Sequence, residues 1–147
     1  MTQEELKEIE KQLSCPEGAA GVEMGTRMNR TNMSMTLATI QALSVQSDER
    51  VLEIGPGNAG HLGEVLKVAP GIQYDGLDIS ETMLDEAFRN NQRWQQTHQV
   101  HFTKYDGLNI PFEPGTFDKV MTVNTLYFWE EPEKFMAEIG RVMMPGG

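Results

Sequence analysis

Val51-Leu52-Glu53-Ile54-Gly55-Pro56-Gly57-Asn58-Ala59-Gly60 decides the fold of this 147-residue chain. Arg50-Val51-Leu52-Glu53 has strand character and runs into a glycine-rich turn, and apolar residues at helical spacing follow (Leu62, Val65, Leu66, Ala69). Strand, glycine turn and helix form the unit that brings bare backbone against a nucleotide-like ligand. Glycine is required because a β-carbon would block both the turn and the close approach. Read literally, Gly55-x-Gly57-x-x-Gly60 is a dinucleotide fingerprint. Glu53 argues for something else. It lies at the carboxyl end of the strand, where open α/β sheets bind their ligands. A carboxylate there repels a pyrophosphate and attracts an ammonium group, which favours a cationic ligand without phosphates. The alternative is a local cap or pair.

Working outward, a second strand over residues 72–79 carries Asp78 near its end, and Ser80 opens a helix. An acid about twenty residues past the glycines can accept hydrogen bonds from both hydroxyls of a ribose. A third strand, residues 100–104, leads to Tyr105-Asp106-Gly107-Leu108. Asp106 can accept from an adenine amino group with Gly107 leaving room for the ring, or the pair is a plain Asp-Gly turn. Residues 117–124 form a nearly continuous apolar run ending at Asn124, the pattern of a strand buried on both faces.

In this order and spacing the chain resembles the class I S-adenosylmethionine-dependent methyltransferases of the small-molecule type. The matching pieces are residues 51–58, Gly76-Leu77-Asp78-Ile79-Ser80, Asp106-Gly107-x-x-Ile110-Pro111-Phe112, Phe117-Asp118-Lys119-Val120 and Glu138-Ile139-x-Arg141-Val142-x-x-Pro145-Gly146-Gly147. The resemblance implies an α/β fold: a Rossmann-like, mostly parallel sheet in the order 3-2-1-4 with flanking helices. It implies S-adenosylmethionine as cofactor and in-line methyl transfer to a small-molecule acceptor. It places Glu53, Gly55, Gly57 and Asn58 around the methionine moiety, Asp78 and Ile79 at the ribose, Asp106 and Gly107 at the adenine, and Asn124 near the sulfonium. Two departures stand out. Ala59 occupies a position that is commonly glycine, which predicts a slightly weakened fit. The family's further C-terminal strands are missing after Gly147, so the fourth strand is expected to be an exposed edge able to pair with a second copy.

The division expected is an N-terminal helical cap segment, residues 1–46, and an incomplete core, residues 47–147. Helices are expected near 3–13, 31–43, 59–68, 80–95 and 132–143, with a loop over 14–20. Pro132 suits a first helical turn, and Phe135, Met136, Ile139, Val142 and Met143 form a core stripe. Met24, Met28, Met33 and Met35 read as a substrate-facing lid or as loose packing. Asn29 and Asn32 in the same segment could reach the cofactor or the substrate. Tyr127-Phe128-Trp129 follows the fourth strand; aromatic faces attract a sulfonium, and Tyr127 is the weak candidate for a catalytic residue. The alternative is that the trio packs the last helix.

With 12 basic and 22 acidic residues the net charge is −10, which disfavours nucleic acid and anionic membrane as partners. Cys15 is the single cysteine, so no internal disulfide forms, and no spacing suggests a metal. His61, His98 and His101 read as surface or packing residues. No apolar run is long enough to span a bilayer and the N-terminus is unlike a signal peptide, so the cytoplasm is expected. Two rival readings remain. The literal glycine pattern suggests an NAD(P)-dependent oxidoreductase, opposed by Glu53, by the long stretch ahead of the first strand and by the Asp106 loop. The missing strands suggest a non-catalytic remnant that binds cofactor weakly or not at all.

Overall fold

The computed structural model describes residues 1–125 and 128–147. Four strands, β1 (Arg50–Ile54), β2 (Gln73–Asp78), β3 (Val100–Lys104) and β4 (Lys119–Thr122), form a parallel sheet in the order β3-β2-β1-β4, the order that the family resemblance implies. Around it lie α1 (Gln3–Ser14), α2 (Gly18–Leu43), α3 (Leu62–Leu66), α4 (Glu81–Asn90), α5 (Gln92–Thr97) and α6 (Pro132–Val142). A parallel pair needs a crossover helix, and α3 supplies it between β1 and β2. The sheet separates two apolar clusters. Val51, Leu62, Val65, Ile72 and Tyr74 anchor one, and Leu52, Ile54, Leu77, Phe117 and Phe135 the other. Alternate residues of β1 thus face opposite layers, as a period-two strand dictates.

The N-terminal half departs from its expected form. The loop is short, Cys15 to Glu17, and α2 runs unbroken from Gly18. Within it, Gly21 and Gly25 serve close approach. A β-carbon at Gly21 would lie 2.7 Å from the Pro16 carbonyl carbon, and one at Gly25 would lie 2.6 Å from Met83 Sδ. The expected helix over 80–95 is likewise two helices. Asn91, buried between them, donates from Nδ2 to the carbonyls of Ala59 (3.0 Å) and Ala87 (2.8 Å), tying the turn to the glycine loop. Ser80 caps α4 by accepting from Met83 N at 3.1 Å and donates to the Pro16 carbonyl.

β4 is shorter than the apolar run that suggests it. Asp118 turns its carboxylate to Arg50 N at 2.8 Å, and Phe117 forms a parallel bridge with Met143. Asn124 takes a left-handed conformation, φ 56°, which ends the extended run. Only Met121 of the strand is fully buried, because β4 borders the sheet and has β1 as its one strand partner. Its outer side is not wholly bare: Phe117 N donates to Val142 O and Met144 N to Phe117 O, at 2.9 and 2.8 Å.

α6 is fixed from its buried side. Phe135, 1% exposed, meets Trp129 edge-on at 4.5 Å between ring centroids and Tyr105 at 6.1 Å. Phe135→Ala is expected to cost about 3–5 kcal/mol in denaturant unfolding, with a lowered midpoint and unchanged slope. On the same helix, Arg141 donates to the carbonyls of Phe112 and Ile110, both at 2.8 Å, and holds Glu138, whose carboxylate accepts Ile110 N at 2.8 Å. This clasp explains the Glu138-x-x-Arg141 spacing: it fixes the loop that follows Gly107.

Candidate cofactor cleft

The carboxyl ends of β1, β2 and β4 open into one cleft of about 940 Å³, including the space at its mouth. α2 forms one wall through Gly25, Met28, Asn29, Asn32 and Thr36, successive residues of a single helical face. The glycine loop forms the floor, and Thr125, Phe128 and Trp129 stand opposite.

Gly55 and Gly57 both have positive φ, 68° and 59°. At Gly57 nothing lies within 4 Å of where a β-carbon would stand, whereas at Gly55 it would meet Thr125 Cγ2 at 2.6 Å. Bare backbone therefore faces the cleft at the first position and passes under the segment after β4 at the second. Ala59 also has positive φ, 50°, and is completely buried. Its methyl packs into the core beneath the loop, so the departure from glycine puts strain in the loop without putting volume into the cleft.

Asp78 ends β2 at the centre of the floor. Its carboxylate accepts Ser80 N at 3.0 Å and Gly57 N at 3.3 Å. Burial pushes its pKa up to about 6, against the lowering effect of those amides. A buried acid with two amide donors and no cation among them is a poor structural ion pair and a good acceptor for hydroxyls. Ile79 and Gly107 line the cleft beside it, with a β-carbon at Gly107 reaching 3.3 Å from Ile79 Cγ2.

Glu53, 2% exposed, accepts from Tyr74 Oη at 2.6 Å and lies 2.7 and 2.9 Å from His61 Nε2 through its two oxygens. Burial alone would lower the His61 pKa, but the charge and hydrogen bond of Glu53 outweigh it and raise the value. The Tyr74 phenol is pushed well above its ordinary range, by burial first and then by Glu53. His61 is thus neither a surface residue nor plain packing. It is the buried partner of the acid at the head of the glycine loop, and its one signal in the sequence is its place in the first turn after that loop.

Glu53, Gly55, Gly57, Asn58, Asp78, Ile79, Gly107 and Asn124 all border this one cleft. Asn124 Nδ2 donates to Asn32 Oδ1 of α2 at 2.9 Å, joining the end of β4 to the opposite wall. Asp106 does not reach the wall. Its carboxylate accepts Leu108 N, Asn109 N and Asn109 Nδ2 at 2.7–2.8 Å, so it builds the turn that presents Gly107. Tyr127 lies outside the described residues. Of the methionines, Met28 and Met83 border the cleft, while Met24, Met33 and Met35 do not. Among the described residues the wall carries Glu53, Asp78 and His61 but no lysine or arginine. The residues suit a ligand bearing an ammonium group and a ribose better than one bearing phosphates.

Comparison with known proteins agrees with this chemistry. Residues 52–147 match the family described as a methyltransferase domain. The chain is 29% identical over 126 residues to phthiotriol/phenolphthiotriol dimycocerosates methyltransferase 1 of Mycobacterium ulcerans, a match covering 86% of the chain and 45% of the relative. It is 26% identical over 120 residues to the fatty-acid O-methyltransferase of Mycolicibacterium smegmatis, covering 82% and 42%. It therefore spans less than half the length of either relative. Among solved structures it is similar to phosphoethanolamine N-methyltransferase 2 of Haemonchus contortus in complex with phosphomonomethylethanolamine and S-adenosylhomocysteine. That likeness has a TM-score of 0.74 at 22% identity and covers 86% of this chain and 31% of the other; it is one of fold.

Proposed function

Because the chain belongs to the class I S-adenosylmethionine-dependent methyltransferases, we propose that its cleft binds S-adenosylmethionine and serves methyl transfer to a small-molecule acceptor. The observation that carries this reading is the pairing of two buried carboxylates, Glu53 and Asp78, across a glycine floor in a wall that, among the described residues, has no lysine or arginine. Bound S-adenosylmethionine supplies a methyl group on a cationic sulfur. The chain's own part is to bind, orient and dry that group. Asp78 accepts the ribose hydroxyls, and Ile79 and Gly107 flank the adenine with Asp106 holding their turn. Glu53 receives the ammonium end, and Gly55, Gly57 and Asn58 let the backbone close on the same end. Asn124 and Thr125 stand by the reacting methyl, with Phe128 and Trp129 on the same side of the cleft. Much of the rate enhancement in such a displacement comes from positioning and desolvation. The acceptor enters between α2 and Phe128, past Met28.

Titrating the chain with S-adenosylhomocysteine by calorimetry tests the reading. Binding in the micromolar range is expected at pH 7.5, and no saturation up to millimolar ligand would sink it. The affinity should also depend on pH. Asp78 takes up its proton near pH 6 in the free chain, and the ribose hydroxyls need the ionised acceptor. Below about pH 6 the dissociation constant should therefore rise by up to roughly tenfold per pH unit. The nicotinamide reading predicts the opposite selectivity, binding of NADH and not of S-adenosylhomocysteine, and among the described residues the wall offers its phosphates no lysine or arginine.

A further inference from the structure

Cofactor binding as described gives His61 and Asn29 no task, yet they sit behind Glu53 in a continuous chain of side chains. Asn29 Nδ2 of α2 lies 3.2 Å from His61 Nδ1, His61 Nε2 spans both oxygens of Glu53, and Tyr74 Oη closes on Oε1. Oε1 therefore takes two donors, while Oε2 only shares the imidazole proton and keeps accepting capacity. The Asn29 amide packs closely over Gly60, where a β-carbon would stand 2.9 Å from Asn29 Oδ1. No buried side-chain nitrogen or oxygen among the described residues lacks a partner. The network is thus complete, and the carboxylate has one defined orientation. Four elements contribute: α2, the turn before α3, β1 and β2.

We propose that His61, held by Asn29, is a positioning residue for the ammonium end of the cofactor, and that seating of α2 is thereby part of that site. The inference rests on the cofactor reading above. A long acidic side chain free to rotate would be ordered at the moment of binding, at a cost in affinity. His61 orders it beforehand and leaves one oxygen to the cleft. Asn29 extends the effect to the cap helix: when α2 is displaced, His61 loses its outer anchor and Glu53 its fixed orientation. The consequence is confined to the amino-acid tail of the ligand. The adenosine end rests on Asp78, Ile79 and Gly107, and the hydrogen bonds of Asp78 go to Gly57 N and Ser80 N outside this network.

Two ligands separate the ends. S-adenosylhomocysteine carries the tail, and 5′-methylthioadenosine has the same adenosine and thioether without it. In calorimetric titrations of the full chain, His61→Ala is expected to weaken S-adenosylhomocysteine about 10- to 100-fold while 5′-methylthioadenosine stays within about threefold. Asn29→Ala should show the same split at smaller size, about three- to tenfold. His61→Gln, which restores a donor toward Glu53, should recover most of the lost affinity. Parallel weakening of both ligands, or no weakening of S-adenosylhomocysteine, overturns the proposal. Should His61→Ala fail to fold, Asn29→Ala and His61→Gln decide by the same criterion. If the unmodified chain binds 5′-methylthioadenosine as tightly as S-adenosylhomocysteine, the tail has no site and the proposal fails alone. If it binds neither, the cofactor reading fails first and this inference with it.

Discussion

Asp78→Asn is expected to abolish cofactor binding and to stabilise the fold. The carboxylate lies at the end of β2 with backbone donors from Ser80 and Gly57 and no cation beside it. Burial raises its pKa to about 6, above the ~3.9 of an unfolded aspartate. The folded chain therefore binds this proton more tightly than the unfolded chain does. Stability from the group is fully present below pH ~4 and is lost as the pH rises through about 6. At neutral pH the ionised Asp78 is a net cost to folding of the order of 3 kcal/mol. Asparagine removes the charge and keeps the oxygen that accepts Ser80 N, giving up the longer bond from Gly57 N, so the melting temperature should rise by a few degrees at pH 7.5. It should also fall less than that of the parent between pH 4 and 7. Affinity for S-adenosylhomocysteine should drop roughly 100-fold or more, since two hydroxyls lose a charged acceptor. Melting curves over a pH series together with calorimetry check both halves. A variant that loses binding and stability together would show that Asp78 holds the fold instead of serving the ligand.

Glu53→Ala should have the opposite balance, losing stability and binding at once. Its removal leaves the Tyr74 hydroxyl and the His61 imidazole enclosed without their shared acceptor. Breaking one member of a buried charged network costs about 3–5 kcal/mol, which for a domain of this size is roughly 10 °C or more of melting temperature. Tyr74→Phe removes one donor and keeps the ring, so about 1.5–3 kcal/mol is expected. Urea unfolding distinguishes the two. If Glu53→Ala melts like the parent, the buried network contributes nothing and the acid's position has to be explained otherwise.

The different fates of these two acids show how far the sequence can be read. Glycine turn, strand and the acid twenty residues later form a local pattern, so the place of Asp78 follows from it, while the sheet order comes from the family resemblance. Glu53 is legible by position but not by partner. That His61 and Tyr74 converge on it depends on β1, β2 and the turn before α3 being packed together, and a lone histidine carries no sign of that. Gly21 and Gly25 depend on packing in the same way. Glycine is the residue of turns and of close contact alike, and only Pro16 and Met83 standing against them decide which. The ends of β4 were set by Asp118 turning to Arg50 and by Asn124 entering the left-handed region, neither of which disturbs the apolar run that suggests a longer strand. Asp106 satisfies the pattern of an adenine contact, yet its carboxylate is committed to Leu108 and Asn109.

At the end of the sheet away from the cleft, Arg50 is bound to Asp75 at 3.0 Å and lies over the rings of Phe112 and Phe117, while its amide takes the carboxylate of Asp118. That knot fastens β1, β2 and the approach to β4 without a single atom in the cleft. The sheet is therefore held at this end by contacts that no ligand in the cleft can reach, so loss of the Arg50 side chain should lower the melting temperature while leaving the wall of the cleft in place.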